Sequence, residues 1–166
     1  MAEFINTSVL VGDDALVDSI IEGTITEYKD NRVIQTGYYT FWYCTALETV
    51  VMPNVTFLDR YTFKSCTALK MVDLSSVTRI EHYAFENCSA LLALIIRNDA
   101  VCVLRNAAVF NSSAIANGTG YIYVPRVLVD PYKSATNWST YAAQFRDLES
   151  FTVDGTTTGE LDETKI

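Results

Sequence analysis

The chain has 166 residues, 49% apolar and 12% aromatic, with only seven glycines and three prolines. That composition suits one ordered domain and excludes a disordered chain. Twelve basic against twenty acidic residues give a formal charge of −8, which leaves no basic stripe for nucleic acid or for an anionic membrane surface. No run approaches the ~18–20 apolar residues that membrane insertion needs.

Residues 1–32 read as an N-terminal cap or docking segment. The opening Met1-Ala2-Glu3-Phe4-Ile5-Asn6 carries neither a basic n-region nor an apolar h-region, so the expectation is synthesis in the bacterial cytoplasm without a secretory signal. Residues 1–15, with Phe4, Ile5, Val9, Leu10 and Val11, either add a strand to one end or dock on a partner. Residues 16–38 resemble a degenerate repeat unit: Ile20, Ile25, Val33 and Tyr38 surround Gly23, and Val33 is in register with Val55 and Val77.

From 33 to 104 the sequence repeats with an offset of 22 residues. Tyr39, Phe41, Cys44, Ala46 and Leu47 recur as Tyr61, Phe63, Cys66, Ala68 and Leu69, then as Tyr83, Phe85, Cys88, Ala90 and Leu91. After Ile96 the register degrades. Each coil must fill the same cross-section, so the constant positions are expected to point inward. The alternation near 47–52, 69–74 and 91–96 predicts short strands with 50/52, 72/74 and 94/96 facing in. The remaining arc is too short for a full helix and predicts a compact helical or 3₁₀ turn. Positions that change type are expected to face solvent: Trp42/Lys64/Glu86, Tyr43/Ser65/Asn87, Glu48/Lys70/Leu92 and Val51/Asp73/Ile95. A Trp-to-Lys-to-Glu series cannot share one buried niche, because a lone buried charge is too costly.

Residues 105–151 are expected to cap the last coil. Asn117-Gly118-Thr119-Gly120 reads as a turn, since it lacks the Lys of a phosphate-binding loop. Tyr121 to Pro125 predicts a strand. Asp130 and Pro131 predict a helix start, as N-cap and first helical residue. Residues 139–146 suggest a second short helix, with Trp138, Tyr141 and Phe145 on one face. Residues 152–166 are polar and Thr-rich, either a flexible tail or a peptide that orders on assembly.

No constellation for catalysis assembles. The single histidine, His82, aligns with Arg60 and Tyr38, a slot expected to be exposed. Cys44, Cys66 and Cys88 are evenly spaced, without the close pairs of a zinc site, and read with Cys102 as reduced buried thiols. Asp13 and Asp14 are adjacent in a polar loop, not set across a cleft. No metal and no cofactor are expected. What remains is a surface, with Trp42 and Tyr43 on the turn face and Val51, Met71, Asp73 and Ile95 on the strand face as candidate binding residues.

The Tyr-Thr/Ala-Phe-x-x-Cys-x-x-Leu units and the strand-ending Pro53 resemble BspA-like leucine-rich repeats over about 33–96. The segment with Ile115, Tyr121 to Pro125 and Tyr132 to Tyr141 is similar to the terminal region that follows such repeats, and 155–162 is similar to C-termini of phage- and prophage-encoded members. The resemblance implies an α/β repeat solenoid with a parallel sheet on one face, helical or 3₁₀ turns on the other, and short helices capping the C-terminus. It also implies a non-catalytic structural or binding module. The first expectation is a bacteriophage virion component (tail-fibre, receptor-binding or head-decoration) that meets other virion proteins or a bacterial receptor of protein or glycan. Such a component would be a homo-oligomer, with a trimer first. The alternative is a bacterial cell-surface adhesin.

Overall fold

The computed structural model describes residues 25–150 and, beyond them, the backbone of two short strands. The expectations on residues 1–24 and on most of 152–166 lie outside the described residues. In chain order the strands are β1 (Glu27–Lys29), β2 (Thr49–Val51), β3 (Phe57–Leu58), β4 (Met71–Asp73), β5 (Arg79–Ile80), β6 (Ala93–Ile95), β7 (Val103–Leu104), β8 (Tyr121–Val124) and β9 (Phe145–Asp147). Among the described residues one α-helix, α1 (Val129–Ser134), precedes β9, and β10 (Thr152–Val153) pairs antiparallel with β11 (Thr156–Thr157).

Two parallel sheets result, in the order β1-β2-β4-β6-β8-β9 and β3-β5-β7. The larger sheet pairs Tyr28, Val50, Val72, Leu94, Ile122 and Phe145 across successive strands, and the smaller one aligns Leu58, Ile80 and Leu104. This is an α/β repeat fold with one coil per 22-residue unit. All nine of these side chains are buried, as are the expected inward positions Met52, Leu74 and Ile96. Val33, Val55 and Val77 are buried together, as their register predicts.

A Phe column runs through the interior. Phe41, Phe63, Phe85 and Phe110 stack with centroids 5.2, 5.4 and 5.5 Å apart and nearly parallel rings. Phe110 extends the column although the sequence register has already failed, because the coil between Ala93 and its partner Tyr121 is longer than the others. Beside the rings, Cys66 donates its thiol hydrogen to the Phe41 carbonyl at 2.9 Å, and Cys88 donates to that of Phe63 at 3.1 Å.

The arc that bears Tyr and Phe is not a helix. It folds as successive tight turns, with Trp42 N–H donating to the Tyr39 carbonyl and Cys44 N–H to that of Phe41. Left-handed residues interrupt helical propagation at Tyr39, Tyr43, Tyr61, Ser65, Tyr83 and Asn87, with φ between 57° and 64°. Coil-to-coil bonds hold them there: the N–H groups of Tyr39, Phe41 and Tyr43 donate to the carbonyls of Arg60, Thr62 and Lys64. Tyr61, Phe63 and Ser65 repeat the pattern one coil on. This geometry corrects two expectations. The Tyr and Ala positions do not point inward but are half-buried, because the left-handed turn rotates the Tyr side chains to the rim of the coil.

The C-terminal end is sealed by side chains. The open edge of β7 meets Tyr132, whose hydroxyl accepts from Cys102 N–H at 2.9 Å. Trp138 Nε1 donates to the Cys102 carbonyl at 2.7 Å, and Asn137 donates to that of Leu104 at 2.8 Å. An unpaired strand edge is a template for adventitious pairing, and these donors and acceptors occupy it. Trp138, Tyr141 and Phe145 are buried together, and Trp138–Gln144 forms the second short helix as a 3₁₀ segment, but it ends before Phe145 and Arg146, which belong to β9. Helix α1 begins at Val129, so Asp130 lies inside the first turn rather than at the N-cap. The Gly118 turn is present, with φ of 84°. A side chain on Gly120 would collide with the Leu91 carbonyl.

Candidate functional site

The aromatic array on the turn face begins with the sequence Tyr38-Tyr39-Thr40-Phe41-Trp42-Tyr43. Alternation around the left-handed residues sends Phe41 into the core and leaves the other four rings at the surface. Across this coil, Tyr38 lies 6.5 Å from Tyr39, Tyr39 lies 5.7 Å from Trp42, and Trp42 lies 5.7 Å from Tyr43, centroid to centroid. Along the coils, Tyr39, Tyr61 and Tyr83 stack at 4.8 and 5.5 Å, each pair tilted by only 4°. The result is one continuous surface of six rings. Tyr38 is 46% exposed and Tyr43 50%, while Tyr39, Trp42, Tyr61 and Tyr83 are half-buried.

Charges border this array and are already engaged. Lys64 sits over the Tyr61 ring at 5.3 Å and pairs with Glu86 at 2.7 Å, a carboxylate that raises the Lys64 pKa. Arg60 sits over Tyr38 at 5.8 Å and reaches Glu81 at 3.8 Å. Lys64 and Glu86, aligned with Trp42, are half-buried rather than fully solvated, and they pair with one another across adjacent coils.

Glu81 is the group the sequence reading missed. Its carboxylate is buried and accepts from Arg79 Nε at 2.6 Å and from His82 Nδ1 at 3.0 Å. Burial pushes its pKa up, but the bonds from His82 and Arg79 outweigh that and hold it below the usual range. His82 is therefore half-buried and engaged, not in the open slot expected for it. Two guanidinium groups and an imidazole converging one by one on a single buried acid leave no repeat signature, because only this coil carries Glu at the position.

The strand-face candidates are corrected by the structure. Val51, Met71, Asp73 and Ile95 are 8%, 8%, 3% and 0% exposed, so they are not solvent-facing contacts. Val51, Met71, Ala93 and Ile95 form a second apolar cluster on the outer side of the large sheet, packed against Tyr123 and Leu148, and Asp73 lies in register between Val51 and Ile95. Asp73 is tolerated there because Arg97 donates at 3.0 and 3.2 Å and the Ser75 hydroxyl at 3.0 Å. Variation from Val to Asp to Ile thus records different ways of covering one sheet face. Among the expected variable positions, Lys70 and Leu92 are exposed, and Ser65 is buried.

The thiols of Cys44, Cys66, Cys88 and Cys102 are free and buried. Burial pushes Cys66 and Cys88 well up and Cys102 to about 12, far from the thiolate that nucleophilic chemistry requires. Among the described residues, no group of three or more His, Cys, Asp or Glu side chains could hold a metal ion, and no helix is long and apolar enough to cross a membrane. Two shallow concavities are open to solvent. One, of about 340 Å³, lies between β7 and the segment of Ala135 to Trp138, and one, of about 500 Å³, lies beside Asp30 and Arg32.

Tandem coils joined by parallel sheets and faced with a ring array define an α/β repeat protein. Six copies of the BspA type leucine-rich repeat region match residues 20–117, more than half of the chain. The chain belongs to the BspA type leucine-rich repeat family, a binding and repeat family that is not typically enzymatic. No curated protein matches it.

Proposed function

We propose that this chain is a non-catalytic binding module, a short solenoid that engages its partner through the aromatic face and is carried on a bacteriophage particle. The observation that carries the binding role is the six-ring surface running from Tyr38 to Tyr83. Rigid aromatic rings bring contact area at low entropic cost, and clustered Tyr and Trp dominate contact energies. Trp42 and Tyr43 stay central to this reading, now joined by Tyr38, Tyr39, Tyr61 and Tyr83. Placement on a virion is supported by the similarity of 155–162 to phage-encoded C-termini, and a homo-oligomer, trimer first, goes with it.

A second reading, a bacterial cell-surface adhesin, is favoured by the repeat family itself. The binding role is tested by incubating the fluorescently labelled chain with a panel of bacterial cells. Trp42→Ala/Tyr43→Ala should weaken adsorption about ten-fold or more, the loss of a small cluster of contact residues. Leu92→Ala, an exposed residue outside the ring array, should leave it unchanged. Equal adsorption by all three chains would overturn the reading. Mass spectrometry of purified particles and of cell envelopes separates the two placements, and light scattering reads the oligomeric state.

A further inference from the structure

We propose that the aromatic face binds a neutral oligosaccharide laid across its ring array, an inference that rests on this face being the contact surface. The array is built from Tyr and Trp alone: Tyr38, Tyr39, Trp42, Tyr43, Tyr61 and Tyr83. Each ring couples an apolar surface to a phenol hydroxyl or an indole N–H at its edge. A pyranose has the matching chemistry, with C–H groups on its faces and hydroxyls around its rim. The C–H groups carry partial positive charge toward the electron-rich ring faces, and the hydroxyls find donors and acceptors at the ring edges.

Charge argues for a neutral sugar. The two cations at the array are already paired, Lys64 with Glu86 and Arg60 with Glu81, so neither stands ready for a carboxylate or sulfate. The chain's own charge of −8 repels an acidic polymer further.

Geometry argues for an oligomer. Tyr39, Tyr61 and Tyr83 are stacked face to face, so they present edges and hydroxyls at intervals of 4.8 and 5.5 Å, one per coil. A linear saccharide running along the coils meets a new phenol at each step, which a monosaccharide cannot do. Tyr43 and Tyr38, tilted away from this row and about half exposed, supply ring surface at its end. Tyr39, Tyr43 and Tyr61 are fixed beforehand, because their left-handed backbones donate N–H groups to the carbonyls of the next coil. Little ordering entropy is then lost on binding.

The test applies the full chain to an array of neutral, sialylated and sulfated oligosaccharides. Retention of neutral oligosaccharides is expected, increasing with length and unchanged between about 0.1 and 0.5 M salt, where charge-driven binding is screened. Tyr38→Ala/Tyr43→Ala should lower it about ten-fold or more, and Leu92→Ala should not. For the native fold, emission of Trp42, read against Trp42→Phe, should shift on titration with the retained oligosaccharide. Binding to no glycan, binding to acidic glycans alone, or a signal indifferent to both the double substitution and Trp42 would overturn the inference. If cells still adsorb the chain through its aromatic face while no neutral glycan is retained, the glycan inference falls and the binding-module reading stands.

Discussion

Truncating Phe63 removes the middle of the interior ring column. Phe63 is fully buried and stacked on Phe41 at 5.2 Å and on Phe85 at 5.4 Å. Phe-to-Ala changes in cores cost about 3–5 kcal/mol, from lost transfer energy and the cavity left behind. Each stacked aromatic pair is worth about 0.5–1.5 kcal/mol beyond its area, and two are lost here, which places Phe63→Ala at the upper end. Coils fixed by inter-coil hydrogen bonds on three sides can close little of the resulting cavity. Against a total stability of about 5–15 kcal/mol, this is a severe loss. Urea unfolding followed by circular dichroism is the assay, with Tyr43→Ala as the surface comparison. Tyr43→Ala should stay within about 0.5 kcal/mol of the parent. If Phe63→Ala costs no more than Tyr43→Ala, the interior column is wrong.

Three further outcomes follow from the same geometry. Gly120→Ala should destabilise by about 1–3 kcal/mol in the same assay, because its added methyl group meets the Leu91 backbone rather than a side chain that can yield. Glu81 has a folded pKa held below its unfolded value of 4.5, so the stability it contributes is present above about that pH. That stability is lost as the pH falls through the folded value. Thermal melts from pH 7 down to 3 should show Glu81→Gln with a shallower acid decline than the parent, and equal slopes would contradict the assignment. The four buried thiols should resist a thiol-specific reagent at pH 8 in the native state and react together in denaturant, since the fold shields all four and burial also raises the pKa of Cys66, Cys88 and Cys102.

The interior was legible in the sequence because repetition stands in for structure. A residue type that recurs at every coil, such as Phe or Cys, declares a shared niche, and those columns are where expected. Repetition alone did not separate niche from rim. Tyr39, Tyr61 and Tyr83 recur as faithfully as the Phe residues, yet their constancy serves stacking at the surface. Left-handed backbone at Tyr cannot be read from a residue type that ordinarily avoids it.

Variation misled in the opposite way. Val51, Asp73 and Ile95 differ freely because Arg97 and Ser75, which share one repeat position with Pro53, satisfy the one charged member. The smaller sheet was missed because two-residue strands carry no periodicity. Phe110 was missed because the longer fourth coil displaces it from the 22-residue register. Within the site, Trp42 and Tyr43 stood out as adjacent large aromatics, whereas Tyr38 and the Tyr row needed coordinates to join them.

Hydroxyl-radical footprinting of the native chain, read residue by residue by mass spectrometry, tests most directly the division between sealed columns and an open ring face. Tyr38 and Tyr43 should be oxidised rapidly, while Phe41, Phe63 and Phe85 stay protected until denaturant is added. Oxidation of those phenylalanines at the rate of Tyr43 in the folded protein would contradict the account.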